Sequence, residues 1–198
     1  MVENISRGLI LNKDVLLGSG PSEIAGFFAT DASKNNHTVV YMIPRNDSTE
    51  VEPNIFKLSD NQLNGANIYL ERANKNIRRE WPTADTILNN HLRRDYYLVQ
   101  WCQRIYSFGN FVEDSSLLKL AGDLAWSAQM YVDRFIFDQE PLDQCELYMY
   151  DLKSQSWFMW NTTWYPIIRA PTPFGTYAVL GNNMLNKPAA QAIDNLWQ

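Results

Sequence analysis

Arg94 heads the short list of side chains whose type and placement could do chemistry. On a helix, Ile87, His91, Arg94 and Leu98 fall on one face, while Leu88, Leu92, Tyr96 and Val99 line the apolar stripe beside it. Arg94 therefore stands at the border of the buried face. A guanidinium there either snorkels or pairs with Asp95 or another carboxylate, or it grips a phosphate through two parallel N–H bonds. Gly18-Ser19-Gly20-Pro21 offers a second possibility, a glycine turn opening a helix whose free N–H groups and positive dipole end suit phosphate or carboxylate. Any strand-to-helix connection of this kind also needs glycine, and the turn matches neither GxGxxG nor a P-loop. Trp126, Trp157, Trp160 and Trp164 could stack on a base or sugar, or fill a core or an interface. Metal chemistry is not expected. His37 and His91 lack a second histidine at ligand spacing, and Cys102 and Cys145 cannot complete a four-ligand zinc site. No GxSxG and no Cys–His–acid grouping supports a nucleophilic triad.

The elements that must carry these groups alternate between strand and helix. Residues 13–18 (KDVLLG) read as a buried strand ending at the glycine turn. Pro21 suits the first turn of a helix carrying Ile24, Phe27, Phe28 and Ala32, and 37–44 (HTVVYMIP) is a β-branched strand stopped by proline. Strand, glycine turn, helix and strand make a βαβ unit, which implies a parallel sheet. Segment 45–57 is polar, contains Pro53, and reads as an excursion. Ser59-Asp60-Asn61-Gln62 has the form of a capping box, ahead of one helical stripe through Leu63, Ala66, Leu70, Ala73 and Ile77. Trp81-Pro82 interrupts it. A helix is expected over 83–102, a strand over 104–109, a helix over 121–134 and a strand over 135–138. Apolar and polar residues then alternate over 146–161 around Lys153-Ser154-Gln155, a hairpin signal, before a strand at 177–181 and a helix at 189–197. The expected architecture is one α/β domain over 1–198, a mostly parallel sheet with an aromatic-rich hairpin (146–164) appended. Ligands of such sheets bind beyond the carboxyl ends of the strands, which singles out the loops 18–22, 109–122 and 138–140.

Composition narrows the class. The chain has 198 residues, with Lys+Arg 17 against Asp+Glu 22 and a net charge of −5; it is 45% hydrophobic and 20% charged, ordinary values for a globular domain. No apolar run approaches the roughly 20 residues that span a bilayer, so no membrane partner is expected. Residues 1–14 lack the apolar core of a signal peptide, so the cytoplasm is the expected compartment and two cysteines suit it. The sequons at Asn36 and Asn161 are then irrelevant. An acidic balance without a basic stripe argues against long nucleic acids.

Gly122-Asp123-Leu124-Ala125-Trp126-Ser127-Ala128-Gln129-Met130-Tyr131-Val132-Asp133, followed by Ile136-Phe137-Asp138-Gln139, has the form of a pattern GGTGWAVQMAID followed by VFDQ. Leu58-Ser59-Asp60 through Arg93-Arg94-Asp95-Tyr96-Tyr97 adds to the likeness. With these segments the chain resembles the SLOG superfamily of Rossmann-like proteins, which includes the LOG cytokinin-activating phosphoribohydrolases. It is more similar to a branch spread through microbes and viruses, over about residues 14–193. The resemblance implies a Rossmann-like sheet flanked by helices. LOG enzymes use a motif like PGGxGTxxE, whose glycine loop holds a nucleotide phosphate and whose Glu assists cleavage of the N-glycosidic bond, with an Arg-Asn pair upstream. It places Arg94-Asp95 at the Arg-Asn position and Gln129 at the Glu position, and implies a ligand-binding set of Gly18, Ser19, Gly20, Arg94, Asp95, Gly109, Gly122, Trp126 and Gln129.

Two departures carry physical weight. Gln129 cannot exchange a proton as a carboxyl group does. Asp123 brings a Cβ and a negative charge where backbone would approach a phosphate. Glu23 and Asp138 remain as candidate acids, although a carboxylate in a first helical turn also serves the helix dipole. The resemblance thus implies a protein that binds a nucleotide or an NAD- or ADP-ribose-derived ligand without cutting it, and that senses or sequesters such a signal in the cytoplasm, a host's cytoplasm for a viral member. No further cofactor is expected. The alternatives are a phosphoribohydrolase acting on a nucleoside monophosphate, and an interaction protein with a lost pocket whose aromatic hairpin makes a homo-oligomer.

Overall fold

Val15-Leu16-Leu17-Gly18 carries no polar side chain, and such a run suits a strand covered on both faces. It forms β1 (Val15–Gly18), buried throughout, in the computed structural model, which describes residues 14–20, 23–44, 55–76, 80–109, 145–160, 164–181 and 185–198. There follow α1 (Glu23–Lys34), β2 (Thr38–Pro44), β3 (Ile55–Leu58), α2 (Asp60–Gly65), α3 (Asn67–Asn76), α4 (Thr86–Trp101), β4 (Arg104–Gly109), β5 (Glu146–Asp151), β6 (Ser156–Trp160), β7 (Trp164–Ile167), β8 (Thr176–Gly181) and α5 (Lys187–Asn195). Among the described residues the strands form one eight-stranded sheet in the order β3-β2-β1-β8-β4-β5-β6-β7. It runs parallel from β3 to β5, and β6 and β7 then pair antiparallel. The fold is α/β with a mostly parallel sheet.

Strand alternation splits the core in two. Val15 and Leu17 pack with Leu98 and Val99 of α4, whereas Leu16 packs with Ile24 and Phe28 of α1 and Ala189 and Ile193 of α5. The second cluster is aromatic: Phe28, Tyr106 and Tyr177 are wholly buried, with ring centroids 5.5 to 6.1 Å apart.

Several expected boundaries shift for local reasons. The polar excursion at 45–57 ends in a strand, because Ile55 to Leu58 extends the sheet in parallel register beside β2. The single stripe after Ser59 is two helices: α2 has the expected capping box, with Ser59 Oγ accepting from Gln62 N and Gln62 Oε1 accepting from Ser59 N, but it stops at Ala66. Leu63, Ala66 and Leu70 are still buried. Helix α4 begins at Thr86 rather than 83, since Asp85 accepts the Ile87 and Leu88 N–H groups, both at 3.0 Å. Strand β5 is not an appendage; it pairs in parallel with β4 along its whole length before β6 returns. The helix and strand expected over 121–138 lie outside the described residues. No helix among the described residues is long and apolar enough to cross a membrane.

Candidate functional site

Three neighbouring strands at the middle of the sheet end on glycine at the same edge: β1 at Gly18, β8 at Gly181 and β4 at Gly109. In register, Gly18 pairs with Val179 and Gly181 with Phe108. Packing explains two of them. A Cβ on Gly18 would stand 2.9 Å from the Tyr41 ring, and one on Gly181, at φ +145°, would stand 2.3 Å from the Phe108 carbonyl oxygen. Gly20 differs, because its φ of +131° favours glycine while, among the described residues, nothing lies within 4 Å of the place a Cβ would take. Gly20, just past the end of β1, is thus buried in a backbone conformation that favours glycine.

Helix α4 reaches this loop through Arg94. Its Nη1 donates to the Ser19 carbonyl oxygen at 2.6 Å, and Nε and Nη2 donate to Asp95 Oδ1 at 3.0 and 2.8 Å. Arg94 is 5% exposed and Asp95 2%, so this ion pair sits in the interior. Of the two bonding patterns open to a border arginine, the structure shows the pairing with Asp95 and adds the loop carbonyl. Three residues of the expected ligand-binding set, Ser19, Arg94 and Asp95, are therefore brought together, with Gly18 and Gly20 in the same loop. Gly109 ends the strand beyond β8, its carbonyl accepting from Leu152 N at 2.8 Å.

Glu23 opens α1, next in the chain after this loop. Its Oε2 accepts from Leu185 N at 3.2 Å, so its carboxylate braces the chain ahead of α5. Asp138, Gly122, Asp123, Trp126 and Gln129 lie outside the described residues. Trp157 belongs to the protein's own core at 4% exposure, and Trp160 and Trp164, half-buried, pack on each other at 5.5 Å.

No protein family, curated protein or solved structure matches the chain.

Polar groups at the opposite edge of the sheet are spent internally. Arg104 donates to Glu146 Oε2 at 2.9 Å and to the Thr172 carbonyl at 3.0 Å, and its guanidinium lies 4.4 Å from the Phe174 ring centroid. Tyr106 and Tyr148 donate to the Pro171 carbonyl and Glu146 Oε2, and burial holds both phenols well above their ordinary range. His37 Nδ1 lies 2.7 Å from the Tyr177 hydroxyl; burial lowers its affinity for a proton, with Asp14 pulling the other way.

The feature that sequence reading missed is Gly181. Its run Tyr177-Ala178-Val179-Leu180-Gly181 has the form of Val15-Leu16-Leu17-Gly18, apolar residues closed by glycine, and that likeness was the available signal. What no local pattern shows is that β8 inserts between β1 and β4.

Proposed function

We propose that the chain binds a nucleotide or an NAD- or ADP-ribose-derived ligand at the carboxyl ends of β1, β8 and β4, and holds it without cutting it. The Arg94–Ser19 contact carries this reading, since it ties the loop after β1 to a helix residue 75 positions later. Three of the five guanidinium N–H donors go to Asp95 and Ser19, which leaves two for a ligand oxygen among the described residues. A loop held in place before the ligand arrives loses less entropy on binding. The place is also where open parallel sheets take ligands, at the reversal of strand order between β1 and β4. The finer description of the fold as Rossmann-like belongs to this reading. Glu23 accepts from the Leu185 N–H, a bracing contact that fits holding better than hydrolysis.

Native mass spectrometry with a mixture of AMP, ADP-ribose and NAD tests it, followed by chromatography of what is released. The expected result is one ligand retained and returned intact, and lost in Arg94→Ala. Gly20→Ala, whose Cβ meets none of the described residues, is the milder variant and weakens retention while the protein stays folded. Release of free base or ribose phosphate would overturn the non-catalytic reading; retention of nothing would overturn binding.

A further inference from the structure

A groove of about 560 Å³ opens between α5 and the strands β5 and β6, on the aromatic side of the sheet. Its floor includes Tyr150 and Trp157, 3% and 4% exposed, which pack edge to face at 5.3 Å and fix a rigid apolar base. Ile168 on its wall is entirely in solvent, although an isoleucine gains by burial. Two cations, Arg169 and Lys187, stand on the rim. No carboxylate lines the groove among the described residues, in a chain of net charge −5. The Arg169 guanidinium is engaged by the main-chain oxygens of Asn195 and Gln198, at 3.5 and 3.2 Å, so the freer cation at the rim is Lys187. Lys187 is exposed at the first turn of α5.

We propose that this groove is a second binding site, for a small organic anion with a flat apolar body. The volume lies in the ~300–1,000 Å³ range of ligand pockets. The exposed Lys187 ammonium beside an apolar base selects a carboxylate or phosphate on an aromatic or heterocyclic frame, the anionic end at Lys187 and the body against Ile168. None of the lining residues belongs to the Arg94 loop, so the inference stands independently of the nucleotide reading.

Calorimetric titration with naphthoate and its neutral isostere naphthamide tests it. Naphthoate is expected to bind saturably, and naphthamide about tenfold more weakly, the difference that one charge-assisted contact supplies. Lys187→Gln, at an exposed side chain, weakens naphthoate about tenfold and leaves naphthamide unchanged. Ile168→Ser weakens both probes alike, and thermal melting of each variant confirms the fold. No saturable naphthoate binding, equal affinity for acid and amide, or an unchanged naphthoate affinity in Lys187→Gln would each overturn the proposal.

Discussion

Removing the Arg94 side chain takes away the guanidinium that is paired with Asp95, 2% exposed, in the interior. Breaking one partner of a buried pair costs about 3–5 kcal/mol, whereas replacing both by apolar groups is often neutral. Arg94→Ala is therefore expected to lose that much in urea unfolding, and Arg94→Met with Asp95→Leu to recover most of it. A loss below about 1 kcal/mol in the single variant would mean that water screens the pair. The glycines make a second contrast. Gly20→Ala meets backbone strain, about 1–3 kcal/mol, and no steric contact among the described residues. Gly181→Ala adds a Cβ 2.3 Å from the Phe108 carbonyl oxygen, so it should exceed the Gly20 variant clearly or fail to fold. At this scale the sequence was informative up to a point. Helical spacing placed Arg94 at the edge of the buried face and offered Asp95 as its partner. It could not offer Ser19, because that contact exists only once α4 packs beside β1.

Helices α1 and α5 pack on the same side of the sheet and bring two carboxyl groups together, Asp31 and Asp194. Asp31 is 7% exposed, so its carboxyl group is largely withdrawn from water. Burial pushes its pKa up to about 7, from 3.8, with the hydrogen bond and charge of Asp194 adding to the rise. The folded protein then holds a proton on Asp31 that the unfolded chain releases, so this group draws stability down as pH rises from 3.8 to about 7. Asp31→Asn should flatten that slope and stabilise the protein at pH 8 by on the order of 2 kcal/mol, read from denaturant unfolding at several pH values. Parallel curves for the two proteins would show that the two helices do not confine the charge. Local signals at the element scale were legible where a side chain closes a backbone bond, as with the Ser59 capping box. They failed at β3, where Ile55, Phe56 and Leu58 are too few to show a period and only pairing with β2 makes the strand. The end of α2 at Gly65, with Ala66 as its cap, carried a local signal in Asn64-Gly65 that the continuous apolar stripe masked.

The whole sheet depends on its last strand. Strand β8 joins β1 on one side and β4 on the other, and the Gly175 N–H donates to Asp14 Oδ1 across 161 positions. Without β8, the β3-β2-β1 half and the β4-to-β7 half share no strand pairing, and each exposes a central edge built of buried residues such as Leu16, Leu17, Ile105 and Tyr106. A pair of strands separated so far in sequence forms late, because loop closure costs entropy before the contacts repay it. This is also why the fold was only partly legible. The βαβ start announced a parallel sheet, but the position of 177–181 in its centre is a property of the closed molecule. A chain ending at residue 175 is therefore expected to lose cooperative unfolding and near-ultraviolet dichroism altogether, not merely to melt earlier. Hydrogen exchange on the intact protein gives the complementary reading, with the amides of β1, β8 and β4 protected together at the global stability and those of β7, at the edge, opening first. If the shortened chain still melts cooperatively, the two half-sheets are stable units that dock. The site at their junction would then be assembled by docking and not by folding, so ligand affinity would track the docking equilibrium rather than the stability of either half.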